Sequence, residues 1–213
     1  MSDDELDSGP RAAERLTFFS DAVVAIAMTL LAIDLPVPEG STVSVFWTSV
    51  EHDEGHYVTF LISFVVIAAA WRDHHELFQY AKRTDARLLV LNTGWLLTIV
   101  LNPFATKLLI AGGQSLDTHA LRFGFYALLQ VLESAALYAM LRHMIAGRLA
   151  DPPQAVVNRM TRRAYSLMIG FGLSIPVFFV TTDGWLLWLA APVLAGLSRQ
   201  RERRNHRRSA SPE

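Results

Sequence analysis

The chain has 213 residues, of which 52% are hydrophobic and 18% charged, with a formal net charge of −1. Such a balance excludes a nucleic-acid partner read from bulk charge, and the absence of cysteine excludes disulfides, thiolate metal sites and cysteine nucleophiles. The charges cluster between long apolar runs, which is the pattern of a membrane protein.

The N-terminus, MSDDELDSGP, is acidic and lacks the basic, then apolar, layout of a cleaved signal peptide. Residues 1–14 read as a cytoplasmic acidic tail. Six apolar segments follow: Leu16–Leu35, Tyr57–Phe78, Leu88–Ile110, Thr118–Leu141, Ala164–Val180 and Thr182–Leu197. Each approaches the ~20 residues that cross ~30 Å of hydrocarbon as a helix. None alternates like a barrel strand, and backbone groups in lipid must pair within their own segment. The expectation is an all-α polytopic membrane protein with six transmembrane helices over residues 15–198. Residues 199–213, RQRERRNHRRSASPE, form a basic cytoplasmic tail. Pro103, Pro176 and Pro192 lie inside segments and are tolerable as kinks.

Orientation follows from the loops. Sixteen of the 19 basic residues fall on one side of this threading, among them Lys82, Arg83, Arg87, Arg142, Arg148 and the tail. The opposite side carries Asp34, Glu39, Glu51, Asp53 and Glu54. The positive-inside rule then places both termini in the cytoplasm, as expected of a multi-pass protein of a bacterial inner membrane.

The first segment reads RLTFFSDAVVAIAMTLLAIDLPVP. Ile26, Thr29, Leu30 and Ile33 fall at i, i+3, i+4 and i+7, one stripe of a helix. Ser20 and Asp21 point more than ~100° away from Ile26. By itself the stripe fits packing in a bundle or contact with lipid better than a pore, since such stripes are common in membrane helices. Ionisable groups in a membrane need partners. Asp21, His74, His75 and Asn92 all lie within about 7–12 Å of the basic ends of their segments, so a cluster with Ser20 is geometrically feasible. An equally good reading ends the second helix near Trp71 and leaves the histidines among headgroups. Glu133 and Gln130 lie inside the fourth segment, with Arg72 at a similar depth as a potential ion-pair partner. Histidines at i, i+4, as in metal-binding helices, are absent from the Asp-His-His-Glu run, and no nucleophile elbow or P-loop is present. No catalytic, metal or cofactor site is therefore expected, nor an enzyme.

Arg15-x3-Phe19-Ser20-Asp21 followed by an apolar run to Leu35-Pro36 resembles the first helix of the transmembrane protein 175 family of potassium channels. Trp71-x2-His74-x2-Leu77-Phe78, Leu91-Asn92 and Pro103-Phe104-x-Thr106 resemble its second- and third-helix signatures. The resemblance implies a homotetramer in membrane lipid, with K+ as permeant ion and the first helix of each subunit lining a central pore. It implies a constriction at Ile26, a potassium-preferring Thr29, and further apolar layers at Leu30 and Ile33. It assigns Arg15, Asp21 and the second-helix histidine to a structural network. A potassium-selective channel with an apolar side-chain constriction is the expectation. The alternative is a cation- or proton-coupled secondary transporter using Glu133 and the histidines.

Overall fold

The computed structural model describes residues 3–111 and 115–188. Among these the chain is all-helical: α1 (Asp3–Ile33), α2 (Val43–His52), α3 (Glu54–Phe78), α4 (Ala86–Ile110), α5 (Leu116–Ala146), α6 (Gln154–Phe178) and a 3₁₀ turn (Thr182–Trp185). Four helical stretches are long and apolar enough to cross a membrane: Arg11–Ile33, Glu54–Phe78, Ala86–Ile110 and Leu116–Ala146. The chain is thus a helical multi-pass membrane protein. Of the sixth apolar segment only residues 182–188 are described, beginning with the 3₁₀ turn; the rest of it and the basic tail lie outside the described residues.

The helix boundaries follow from local chemistry. Pro36 and Pro38 follow the end of α1, where the chain can no longer donate to the helix ladder. Asp85 caps α4, its Oδ1 accepting from the Leu88 amide at 2.7 Å, which satisfies one of the free N–H groups of a first turn. Thr42 caps α2 in the same way, accepting from the Val45 amide. This short helix lies in what the sequence alone presents as an acidic loop. Gly40 makes the turn into it: a Cβ there would sit 2.5 Å from the Phe46 nitrogen, and its φ of 158° is one that side chains rarely adopt. Pro153 precedes α6, which begins ten residues before the apolar segment Ala164–Val180.

The layers run in order. α1 packs against α3 and α4, α4 against α5, and α5 against α6. One apolar core joins the first of these layers through Val24, Leu31, Ile67, Leu77, Trp95, Ile99 and Met140. A second lies between α4, α5 and α6 around Tyr126, Phe171 and Phe178. The α3–α4 and α5–α6 connections meet at one end of the bundle. There the Lys82 amide donates to the Leu149 carbonyl at 2.7 Å, and His143 Nε2 lies 2.8 Å from Asp85 Oδ2. Lys82, Arg83, Arg87, Arg142 and Arg148 gather here; it is called the basic end below. At the other end Lys107 and Asp34 pair at 2.9 Å, tying the end of α1 to α4.

Candidate functional site

α1 has two distinct faces. Ala13, Ser20, Val24, Ala27 and Leu31 are buried. At 100° per residue they fall between about 100° and 160° from Ile26. Three of the five are Ala or Ser at seven-residue spacing, small enough to let neighbouring backbones approach closely. The opposite face is bare in the protomer: Phe19 is 60% exposed, Ile26 59%, Leu30 43% and Ile33 75%. Thr29 is exposed on the same face, and its hydroxyl donates to the Ile26 carbonyl at 2.8 Å. The helix thus satisfies the one polar group of the stripe from its own backbone.

Behind this helix a buried hydrogen-bond chain ties three helices together. The Ser20 hydroxyl donates to the Leu16 carbonyl at 2.9 Å. Its oxygen accepts from Asn92 Nδ2 at 2.9 Å. Asn92 Oδ1 lies 2.8 Å from His74 Nε2. Because the Asn92 oxygen can only accept, His74 carries its hydrogen on Nε2. The His74 ring stacks between Phe78 and Trp95, with centroids 4.3 and 4.2 Å away. Ser20, His74 and Asn92 have at most 1% of their surface exposed. The buried face of α1 is therefore held in register against α3 and α4 by directional bonds as well as by packing.

Asp21 lies beside this chain, not in it. Its Oδ1 accepts from Trp71 Nε1 at 2.8 Å, and its Oδ2 is 3.9 Å from His75 Nδ1. Arg15 is exposed and forms no ion pair with Asp21 among the described residues. α3 runs unbroken to Phe78, so the two histidines sit on helix. Of the six residues grouped by the sequence, three share the buried chain, Asp21 and His75 form a second contact through Trp71, and Arg15 stands apart.

A further polar layer sits deeper in the bundle, and its pattern was not legible in the sequence. Gln130 Nε2 donates to Asn102 Oδ1 at 2.9 Å, and Asn102 Nδ2 to Glu133 Oε2 at 3.2 Å. Thr106 Oγ1 lies 2.8 Å from both Ser63 Oγ and the Asn102 carbonyl. Glu133 thus meets an amide from α4, while the carboxylate nearest Arg72 is that of Asp73, at 3.7 Å.

The family model "Endosomal/lysosomal potassium channel TMEM175" matches residues 15–103. A potassium channel of Streptomyces collinus is 32% identical over 186 residues, covering 86% of this chain and 89% of that one. The chain belongs to the TMEM175 family. A TMEM175 homolog from Chamaesiphon minutus, solved as a lysosomal potassium-selective channel homolog, superposes with a TM-score of 0.66 at 25% identity. That likeness covers 90% of this chain and 98% of that one. The human relative, named an endosomal/lysosomal proton channel, is 28% identical over 109 residues, half of this chain and 22% of its own length. The region matched by the TMEM175 model contains the bare stripe of α1 and the whole Ser20–Asn92–His74 chain.

Proposed function

We propose that this chain is one subunit of a potassium-selective cation channel, in which the bare stripe of α1 from four copies lines the pore. The observation that carries this is the division of α1. The protomer buries one face and leaves Phe19, Ile26, Leu30 and Ile33 without a partner. The names of the Streptomyces and Chamaesiphon relatives point to potassium as the ion. In this reading α1, α3, α4, α5 and α6 are five of six spans. The segment from Thr182 to Leu197 is the sixth, and the basic end faces the cytoplasm.

The chemistry is that of an apolar ring. Carbonyl filters replace the hydration shell with oxygen ligands; no TVGYG-like segment exists here. Four Ile26 side chains on the axis offer no ligand and force an ion to pass partly dehydrated. Potassium holds its water less tightly than sodium, so such a ring favours potassium. Ser20, Asn92 and His74 face away from the axis and fix the angle at which α1 presents Ile26.

The test is a reversal potential under potassium–sodium gradients in liposomes. Ile26→Ala removes three carbons per subunit and is expected to raise total flux while sodium gains on potassium. Ile26→Phe is expected to block. The wild-type flux is passive and needs no proton gradient, which separates a channel from a coupled transporter. Unchanged selectivity and conductance in an assembled Ile26→Ala oligomer would place the constriction elsewhere.

A further inference from the structure

α3 and α6 flank α5, and a cavity of about 430 Å³ opens between the three helices. That volume lies within the ~300–1,000 Å³ of ordinary ligand sites. Its wall changes character along the helix axes. Toward the basic end it is lined by Arg72 of α3 and Arg159, Arg162 and Arg163 of α6. Farther in, Val66, Ala69, Leu137, Leu167 and Phe171 give a mainly apolar wall, with Gln130, Glu133 and Ser134 on the α5 side. From Arg163 to Phe171 is eight residues, about 12 Å of helix.

The arginines also bridge the mouth. Arg163 Nε donates to Asp73 Oδ2 at 2.7 Å, and Arg159 pairs with Glu76. Four guanidinium groups thus converge on this mouth, with two carboxylates among them. An adjoining cavity of about 280 Å³ shares Arg72, Asp73, Arg159 and Arg163, so the same cluster faces open space on two sides. Arg72 holds 62% of its side chain exposed at this rim. Glu133 reaches the deep part of the cavity but is held by Asn102.

We infer that this cavity binds one anionic phospholipid, with its phosphate on the arginine mouth and an acyl chain against the apolar wall. Guanidinium groups match phosphate as bidentate forks, and basic pockets between membrane helices select anionic headgroups. The apolar depth decides between a lipid and a free phosphate, because a free anion has no use for the wall from Leu137 to Phe171. A basic segment of the chain's own tail is disfavoured at this mouth by like charge. The inference requires only that the bundle spans a bilayer and is independent of which helix lines the pore.

Native mass spectrometry of the full chain, purified in detergent and equilibrated with phosphatidylglycerol or phosphatidylcholine, tests it. Wild type is expected to retain phosphatidylglycerol roughly tenfold over phosphatidylcholine, as charge-assisted bonds at one site imply. The double variant Arg72→Gln, Arg162→Gln keeps both bridging ion pairs and is expected to erase that preference. Leu167→Trp fills the apolar wall without changing charge and is expected to lower retention of the anionic lipid. It decides the matter alone if the double variant elutes aggregated. Arg87→Gln, at the basic end but outside the cavity, is expected to behave as wild type. Equal retention of the two lipids by wild type, or anionic-lipid retention unchanged by Leu167→Trp, overturns the inference and leaves the cavity to protein, either residues beyond 188 or a neighbouring subunit. Displacement of the lipid by millimolar inorganic phosphate overturns it in favour of a simple anion site.

Discussion

Replacing Asn92 by Leu isolates what the buried chain contributes. Leu keeps the branching and the number of side-chain heavy atoms, with bulkier methyl groups, while both side-chain hydrogen bonds vanish. The Ser20 hydroxyl still donates to the Leu16 carbonyl and loses only a donor to its oxygen. His74 fares worse: its Nε2–H, in a fully buried ring, is left without an acceptor. An orphaned buried donor costs about 1–3 kcal/mol. In a membrane interior, where the unfolded chain also finds polar partners, the lower half of that range applies, about 1–2 kcal/mol. For a chain of this size that is roughly 2–8 °C in the unfolding midpoint. The cost belongs to the orphan and not to the lost bond, so removing the orphan should restore stability. In His74→Phe the ring still stacks between Phe78 and Trp95. The double variant Asn92→Leu, His74→Phe is expected to be more stable than Asn92→Leu alone, since replacing both partners by apolar groups of like shape is close to neutral. Thermal unfolding of the detergent-purified protein, followed by fluorescence and size exclusion, gives all three midpoints. A double variant that loses as much as, or more than, the sum of the two single losses would refute the orphan-donor argument. So would an Asn92→Leu midpoint equal to that of Thr93→Ala, an exposed position one residue on.

Three other outcomes follow from the same geometry. At the basic end, the Leu88 amide and then His143 hold the Asp85 carboxyl below its ordinary value of 3.8. A depressed carboxylate stabilises fully above that value and loses its effect as pH falls through the folded one. The gap in unfolding midpoint between wild type and Asp85→Ala is therefore expected at pH 6 and should narrow by pH 3; a gap that widens on acidification contradicts the assignment. Lys107 and Asp34 are both about half exposed, so Asp34→Ala is expected to cost less than ~1 kcal/mol, and a larger loss in the same assay would mean the pair is shielded by a neighbouring copy. Because native cysteine is absent, single cysteines report topology: one at Ser49 or Ser115 is expected to react with an impermeant thiol reagent from outside, and one at Thr84 only from inside.

The long apolar helices were legible because hydropathy and proline placement act locally. The sequence-read ends at Phe78 and Ile110 coincide with the ends of α3 and α4. α2 was hidden by its setting, since its ten residues bury nothing and lie among acids. The first turns of α6 were missed for the opposite reason. Arg159, Arg162 and Arg163 interrupt the apolar pattern, and the helix persists there with Arg163 meeting Asp73 and Arg159 meeting Glu76 on α3. Likewise Ser20, His74 and Asn92 could be placed at one depth from the sequence, whereas the pairing of Glu133 with Asn102 depends on which helices adjoin. Depth is a property of one helix, and adjacency is not.

The division of α1 also bears on how such a protein can change. The residues that bind it to the protomer, Ala13, Ser20, Val24, Ala27 and Leu31, share no position with Ile26, Thr29, Leu30 and Ile33. A substitution on the bare stripe leaves the protomer's interior untouched, so in the proposed channel its cost falls on assembly and conduction alone. In that channel, drift on one face of a single helix would retune what the pore passes while the subunit folds as before.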